Sequence, residues 1–316
     1  MTDKLAFIFP GQGSQQVGML ADYMGEPVVR DTLEEASQIL GLDLMALFSR
    51  GPAEELNRTE NTQPALLAAS VALWRLWASK NPEAKLEFLA GHSLGEYSAL
   101  VCSGSLDFKE AVSLVRKRGL FMQGAVAQGE GAMAAILGLS DDQVIEVCQS
   151  AAQGGVVEAV NFNSPGQVVI AGGAGEVKRA AALAGEAGAR KAIMLPVSVP
   201  SHCALMKPAA EQLKVELEKI SIIAPSIPVV QNVSASVVTE PEAIRNNLVA
   251  QLYSPVRWVE SIELMHKSGV AQFVECGPGK VLAGLNKRIV RRVPVTPLES
   301  LSAMDKLLEE LSQVSA

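Results

Sequence analysis

The chain has few aromatic residues, and no hydrophobic run in it is long enough to cross a membrane. Aromatic side chains make up only 4% of its 316 residues, so Ala, Leu, Val and Ile must fill most of the core. The longest apolar stretch, 64–77, is too short to span a bilayer and contains Arg75. Residues 1–6 lack the apolar segment of a signal peptide. We therefore expect a soluble protein that is neither exported nor inserted into a membrane.

Cysteine and positive charge are also scarce. The four cysteines lie far apart without a Cys-x-x-Cys pair, so we expect neither a disulfide framework nor a zinc site, and a reducing cytoplasm suits them. With 27 basic against 34 acidic residues, the net charge of −7 argues against nucleic acid as the partner. The remaining composition, 48% hydrophobic and 19% charged, fits a globular α/β protein with a sizeable core.

The segment 88–100 carries the strongest catalytic signal. An apolar run leads into Gly-His-Ser-Leu-Gly at 91–95, and a helical pattern follows. This is Gly-x-Ser-x-Gly between a strand and a helix, where the tight turn admits only small residues two positions either side of the serine. Such a turn lifts the serine hydroxyl out of the sheet and aims the helix N-terminus at the ligand. We predict that Ser93 is a nucleophile; the alternative is a plain turn with a capping serine.

A serine nucleophile needs a neighbouring base, and the chain has only three histidines. Strand alternation sends the His92 side chain to the face opposite Ser93. His266 lies near the end of an amphipathic helix and is predicted to be solvated. His202 lies in a Pro-Ser-His-Cys loop that begins a helix. We therefore favour His202 as the base; the alternative is a helix-start histidine bonded locally.

An acidic residue that would orient this histidine is hard to find. Asp107 follows the serine too closely, and Asp141 and Asp142 have the positions of helix-start residues. The sequence thus departs from the Ser-Asp-His pattern, which leaves a neutral group or a backbone carbonyl to orient the imidazole.

Two glycine-rich stretches fail as nucleotide-binding loops. The loop 10–18 follows a strand predicted over 5–9, but Gln16 stands where a dinucleotide fingerprint needs its third glycine. The Gly-Lys at 279–280 is not a P-loop, because Val274 stands where the first glycine belongs. The loop 10–18 is still suited to bring backbone N–H groups close to a ligand, with an ordinary flexible turn as the alternative.

Three consecutive basic residues, 116–118, lie on a helix predicted from about 107 to 128 with Asp107 as its N-cap. Consecutive helical positions point in three directions, so one of the three can face inward while its neighbours are solvated. Helical spacing alone does not show which of the three side chains faces inward, and it favours a solvent-exposed position for each of them.

The order of patterns indicates two domains. Helices dominate 28–80, and the segment 129–197 shows the order β-α-β-β-α-β of a ferredoxin-like split unit. Strands and helices then alternate to a last helix that opens at 277–280. We predict a second, smaller domain over 129–197, inserted between larger segments of an α/β protein.

Five motifs occur in a fixed order along nearly the whole chain. They are Pro10-Gly11-Gln12-Gly13-Ser14-Gln15, Gly91-His92-Ser93-Leu94-Gly95-Glu96, Arg116-x-Arg118-Gly119-x-x-Met122-Gln123, Pro200-Ser201-His202 and Asn286 with its basic surroundings. Together they resemble the malonyl-CoA:acyl-carrier-protein transacylases, of the free-standing bacterial type of fatty acid synthesis. The resemblance implies an α/β fold: a hydrolase-like core with a parallel sheet, residues 1–128 and 198–316, and an inserted ferredoxin-like small domain, 129–197.

The resemblance also implies roles for single residues. Ser93 would carry the acyl group, and His202 would be its general base and acid. The backbone N–H groups of Gln12 and Leu94 would form the oxyanion hole. The main-chain carbonyl of Gln251 would hold the imidazole, which fits the missing acid.

Substrate contacts are implied at Arg118, Gln12 and His92. A planar, two-pronged guanidinium suits the free malonyl carboxylate better than a lysine would. The resemblance therefore selects Arg118 from the three consecutive basic residues, a choice that periodicity left open.

The implied reaction moves a malonyl group from malonyl-CoA to the phosphopantetheine thiol of acyl carrier protein in two steps, without a metal or redox cofactor. Carrier proteins are acidic, so an acidic enzyme needs a local basic face, and solvated charged faces are the alternative. The resemblance implies a cytoplasmic monomer. The candidate basic residues are Arg190, Lys191, Lys287, Arg288, Arg291 and Arg292.

Three alternatives stay open. A serine esterase or thioesterase would need a third acid and has no use for Arg118. An acyltransferase that feeds polyketide synthesis shares the motifs, although Pro200-Ser201 resembles the malonyl-using fatty-acid type. A non-catalytic carrier-binding module would not be expected to keep Ser93, His202 and Arg118 intact.

Overall fold

The computed structural model describes residues 4–81, 85–197 and 199–314. Residues 1–3, part of the segment in which we expected no signal peptide, lie outside that range. So do residue 198, at the predicted domain boundary, and residues 315–316. In the described part of the chain no helix is both long and apolar enough to cross a membrane.

Strands and helices alternate along the chain. The strands are β1 (Lys4–Phe9), β2 (Leu86–Gly91), β3 (Gly131–Leu137), β4 (Val157–Ser164), β5 (Gln167–Gly173), β6 (Lys191–Met194), β7 (Val229–Gln231), β8 (Ser236–Val237), β9 (Val270–Glu275) and β10 (Val295–Pro297). The α-helices are α1 (Pro27–Leu40), α2 (Leu44–Arg50), α3 (Ala53–Leu56), α4 (Thr59–Lys80), α5 (Gly95–Cys102), α6 (Phe108–Gly124), α7 (Asp141–Ala152), α8 (Ala174–Glu186), α9 (Lys207–Leu217), α10 (Pro241–Ala250), α11 (Trp258–Lys267), α12 (Val281–Ile289) and α13 (Leu301–Val314).

The larger sheet has the order β10-β9-β1-β2-β7-β8 and is parallel except where β8 pairs with β7. Its central strand β1 is apolar on both faces, as a parallel strand covered by helices requires. Phe7 and Phe9 pack into one core cluster, where the Phe7 ring lies 4.5 Å from that of Trp77. Ala6 and Ile8 point into a second cluster on the other face. Because β1 and β2 are parallel neighbours, the loops that follow them meet at one edge of the sheet.

The smaller sheet is antiparallel, with the order β4-β5-β3-β6. Helices α7 and α8 pack with it around a separate apolar core, so the predicted β-α-β-β-α-β order and the α/β class are confirmed. Another cluster joins Met133 and Val160 of this sheet to Cys203. The loop that carries His202 is thus packed against the smaller sheet. The exact division into domains at 129 and 197 stays a prediction.

The sequence reading was incomplete at the C-terminus. The helix expected to be the last is α12, and β10 and α13 follow it. Strand β10 has only three residues and ends at Pro297, so neither its length nor its composition indicated a strand. It pairs with β9 at the edge of the larger sheet, where a proline is tolerated.

Candidate active site

A cavity of about 520 Å³ opens where the two sheets meet. One wall comes from the loops after β1 and β2, from α6 and from the loop before α9. The other wall comes from the smaller sheet and from the segment after β6. The residues that line the cavity include Gln12, His92, Ser93, Leu94, Arg118, Met133, Asn161, Leu195, Val197 and His202.

The turn between β2 and α5 is a nucleophile elbow. Ser93 has φ 52°, a left-handed conformation that few residues other than glycine adopt. A Cβ added at Gly91 would lie 1.8 Å from the backbone carbon of Gly95, and one added at Gly95 would lie 2.0 Å from the carbonyl oxygen of Phe9. Only glycine fits either position, which is the physical reason for the spacing seen in the sequence.

Ser93 and His202 form a hydrogen-bonded pair, with 2.8 Å between the serine Oγ and the imidazole Nε2. The imidazole Nδ1 lies 2.6 Å from the main-chain oxygen of Gln251. Since that carbonyl can only accept, Nδ1 carries the proton and Nε2 is free to take one. Burial, and then the charge of Arg118, lower the pKa of His202 to about 3. The ring is therefore a neutral base at physiological pH.

Arg118 is the member of the basic run that faces inward. Its side chain is 1% exposed and lies over the Tyr97 ring, 5.4 Å from the ring centre. Nη1 donates to the Gln63 Oε1 at 2.7 Å, and Nη2 donates to the Gln251 Oε1 at 3.0 Å and to the Ser93 Oγ at 3.3 Å. All three acceptors are neutral, and Arg118 forms no ion pair with any residue that the structure describes. A buried cation in this state is suited to bind an anionic group in the cavity.

The two other basic residues of the run point away from the cavity. Arg116 donates to the carbonyl oxygen of Leu40, and Lys117 forms an ion pair of 2.6 Å with Glu216. Asp107 caps α6 as predicted, because its carboxylate accepts from the backbone N–H groups of residues 109 and 110.

Gln12 and Leu94 both line the cavity, each at the start of a loop or helix that leaves the larger sheet. Over 4–81, 85–197 and 199–314, neither backbone N–H donates a hydrogen bond to the protein. Leu94 immediately precedes α5, so its N–H belongs to the positive end of that helix. The structure therefore brings two unengaged donors to the cavity beside Ser93.

His92 also lines the cavity, and its ring is turned to the face of the larger sheet opposite that of Ser93, as strand alternation predicted. Ala90, two residues earlier in β2, belongs to the same apolar cluster as Trp258. The His92 Nε2 lies 2.8 Å from the Asn163 Oδ1, and the ring lies beside that of Trp258. Desolvation lowers the pKa of His92. His266 is exposed near the end of α11, as predicted.

Sequence reasoning missed Asn232, which clamps the elbow from behind. Its Oδ1 accepts from the Ser93 N–H and its Nδ2 donates to the Gly91 carbonyl, both at 2.7 Å. Its own backbone N–H donates to the Glu96 Oε2, also at 2.7 Å. Gln63 was missed as well, since it looked like one polar residue in an apolar helix. Glu96, which accepts this hydrogen bond, could have been found from the sequence because it directly follows the second glycine of the elbow motif.

The predicted carrier-docking residues lie on the surface. Arg190, Lys191, Lys287 and Arg288 are exposed, and none of them forms an ion pair within the described ranges. Arg288 donates to the Gln167 Oε1 at 2.8 Å. Lys191 begins β6, an edge strand of the smaller sheet.

The fold and the site define an acyl-transferring serine enzyme, and the family described as "Acyl transferase domain" matches residues 6–313. The malonyl CoA-acyl carrier protein transacylase of Haemophilus influenzae is 58% identical over 309 residues, which cover 96% of this chain and 99% of that protein. The acyl carrier protein S-malonyltransferase of Vibrio cholerae superposes with a TM-score of 0.94 at 55% identity, over 96% of this chain and 99% of the other. The chain belongs to the family of malonyl-CoA:acyl-carrier-protein transacylases.

One solved relative is a complex. It is a malonyl-transacylase bound to a type II polyketide synthase acyl-carrier protein, with a TM-score of 0.95 and 53% identity over 97% of this chain and 99% of the other.

Proposed function

We propose that this protein transfers the malonyl group of malonyl-CoA to the phosphopantetheine thiol of an acyl carrier protein, through a malonyl-serine intermediate, and so supplies extender units for fatty acid synthesis. One arrangement carries the proposal: the Ser93–His202 pair, 2.8 Å apart, lies beside the buried cation of Arg118. The names of the transacylase relatives support the same donor and acceptor.

In the first half-reaction, the His202 Nε2 takes the proton of the Ser93 hydroxyl as Oγ attacks the thioester carbonyl. The negative oxygen of the tetrahedral intermediate is stabilised by the N–H groups of Gln12 and Leu94. The carbon–sulfur bond then breaks, and the imidazolium returns its proton to the departing thiolate of CoA. The Gln251 carbonyl keeps the ring in the required tautomer throughout.

The second half-reaction repeats these steps with the carrier thiol as nucleophile. His202 removes the thiol proton, the sulfur attacks the malonyl ester, and the proton goes to Ser93 as the ester bond breaks. Each step is an acyl or proton transfer that the chain's own groups perform. The proposed function therefore needs no metal ion or redox cofactor.

Arg118 accounts for malonyl selectivity. Its Nη2 contacts the Ser93 Oγ, so a carboxylate on an acyl group attached to that oxygen lies within reach of the guanidinium. Such a carboxylate replaces a weak neutral contact with a charge-assisted hydrogen bond. An acetyl group has no carboxylate and gains nothing from the cation. His92 and the side chain of Gln12 complete the proposed substrate site.

The acidic carrier protein docks, in this proposal, on the exposed residues Arg190, Lys191, Lys287 and Arg288. Their freedom from ion pairs with described residues supports this role, since their charges are not already neutralised. A monomer in the cytoplasm is also part of the proposal, and the four free, buried cysteines are compatible with a reducing compartment.

A second acceptor is favoured by one observation. The relative that was solved with a carrier protein holds one of type II polyketide synthesis. The same half-reactions load that class of carrier without any change at Ser93, so we propose fatty-acid carriers as the main acceptor and polyketide carriers as the alternative.

Intact-protein mass spectrometry tests the donor step. Wild-type protein mixed with malonyl-CoA should gain the mass of one malonyl group, and Ser93→Ala should gain none. Cys203→Ala, which alters a buried residue next to the base without removing it, is the matched control and should still be acylated. An adduct that persists in Ser93→Ala would contradict the assignment of the nucleophile.

A further inference from the structure

Two opposite charges are buried behind Ser93 without touching one another. Glu96 is fully buried, and Arg118 is 1% exposed. Neither side chain forms an ion pair within the described ranges of the chain. Isolated buried charges are costly, so each needs compensation from its surroundings.

The immediate contacts of Glu96 stabilise its ionised form, whereas its burial opposes ionisation. The residue lies in the first turn of α5, where the positive end of the helix stabilises an anion. Its Oε2 accepts the backbone N–H of Asn232 at 2.7 Å, whereas Oε1 has no hydrogen-bond partner of normal geometry among the described residues. Burial raises the pKa of Glu96 to about 7. The Asn232 N–H, the Gln251 side chain and the charge of Arg118 each lower it and so limit the rise.

The Gln251 side chain links Arg118 to the backbone of the nucleophile. The Arg118 Nη2 donates to the Gln251 Oε1 at 3.0 Å, and the Nε2 of the same amide donates to the Ser93 carbonyl at 3.0 Å. Asn232 bonds both the Ser93 N–H and the Glu96 carboxylate, and Arg118 lies over the ring of Tyr97, the residue that follows Glu96 on α5. The guanidinium is therefore held close to Glu96 without an ion pair to it, and Arg118 also lines the cavity.

We propose that Glu96 is the internal counter-charge of Arg118, fixed behind the nucleophile by Asn232, and that it sets how strongly the site selects an acyl group bearing a carboxylate. The inference rests on the proposed function and names a specificity-determining residue of the same site. Glu96 acts through Arg118 and touches no substrate atom, so it is a positioning residue.

A direct ion pair would have a different effect. It would occupy the guanidinium fork and compete with the malonyl carboxylate for the same N–H groups. Because Glu96 forms no ion pair with Arg118, it does not compete with the malonyl carboxylate for those N–H groups. Glu96 also reduces the net positive charge that the malonyl carboxylate meets, which weakens its binding and lets the malonyl group leave with the carrier thiol in the second half-reaction.

The test compares two donors on one enzyme. Glu96→Gln keeps the shape of the side chain and an oxygen for the Asn232 N–H but removes the charge. For Ser93 acylation, the ratio of kcat/KM with malonyl-CoA to kcat/KM with acetyl-CoA should rise about tenfold. The substitution removes the repulsion between Glu96 and the malonyl carboxylate, which we take as equivalent to a shift of about one pKa unit, and acetyl-CoA has no carboxylate to be affected. Loss of folded protein changes both rates equally and cancels in the ratio.

Glu275→Gln is the matched control. Glu275 is also fully buried, its pKa is raised to about 7 by burial, and its oxygens accept the backbone N–H groups of Leu282 and Ala283. Glu275 is bonded to the first turn of α12 and forms no hydrogen bond or ion pair with Arg118 in the described part of the chain. The malonyl-to-acetyl ratio of Glu275→Gln should equal that of the wild type.

A second measurement uses the unmodified protein. As pH falls from about 8.5 to about 6, Glu96 gains a proton, and the malonyl-to-acetyl ratio should rise towards that of Glu96→Gln. Arg118 is the charged group that acts on Glu96; Asn232 and Gln251 are neutral, and the raised pKa of Tyr97, about 12, keeps it neutral. His202 stays neutral above about pH 3, and the phosphates of CoA are common to both donors.

Different results support the proposal, overturn it, or contradict the proposed function. A ratio that rises in Glu96→Gln, stays constant in Glu275→Gln and rises in the wild type at lower pH supports the proposal. Equal losses of malonyl and acetyl transfer in Glu96→Gln would show a purely structural role and overturn it. If Glu96→Gln does not fold, a pH-independent ratio in the wild type overturns it instead. A wild-type protein that gains no malonyl group on Ser93 would contradict the proposed function itself.

Discussion

Replacing Arg118 by alanine should separate malonyl transfer from acetyl transfer. The guanidinium is buried and forked, so a malonyl carboxylate can accept two charge-assisted hydrogen bonds from it. At about 1.5–3 kcal/mol each, their loss amounts to about 3–6 kcal/mol, or roughly a hundred- to ten-thousandfold in kcat/KM. Acetyl-CoA lacks the carboxylate and loses only the neutral contact to Ser93, so its rate should fall less than about tenfold.

The assay is the rate of Ser93 acylation at limiting malonyl-CoA or acetyl-CoA, followed by intact mass. Arg118→Lys is the control, because it keeps the charge and loses the two-pronged geometry. Its malonyl rate should lie between those of the wild type and Arg118→Ala. Equal losses for both donors would refute the carboxylate role and leave Arg118 as a support for the Ser93 hydroxyl alone.

Three further predictions follow from the same geometry. Because burial and Arg118 lower the pKa of His202 to about 3, the base stays neutral as pH falls, so acylation by acetyl-CoA should show no loss of activity from its protonation until below about pH 5. A pH–rate profile with a limb near 6.5 would contradict this. Gly95→Ala should lower the free energy of unfolding by about 3 kcal/mol or more in denaturant melts, since its Cβ would lie 2.0 Å from the Phe9 carbonyl oxygen; unchanged stability would argue against the tight elbow. Lys287→Glu should raise KM for the carrier protein about three- to tenfold without changing malonyl-CoA loading, whereas Lys306→Glu on α13 should change neither; equal effects of the two would remove the docking role of Lys287.

Local chemistry explains which parts of the site could be predicted. The glycines of the elbow are required by distances within one turn, so Gly91, Ser93 and Gly95 identify it from sequence alone. His202 followed by elimination, because the chain offers only two other histidines. That a backbone carbonyl would orient the imidazole was suggested only by the lack of a suitable acid.

Long-range contacts explain what could not be predicted. Asn232 reaches the Ser93 N–H from 139 residues along the chain, and nothing in its local sequence indicates a clamp. Glu96 looked like one more polar residue of the motif until its burial beside Arg118 was known. Each error concerns tertiary packing rather than local propensity.

The central claim is that Ser93 passes its malonyl group to a carrier thiol. Its most direct test is to isolate the malonyl-enzyme, add phosphopantetheinylated carrier protein and follow both proteins by intact mass. The account predicts that the malonyl mass leaves the enzyme and appears on the carrier, faster than it is lost in buffer. Loss of the adduct to free malonate with the carrier unmodified would contradict the account and show a hydrolase.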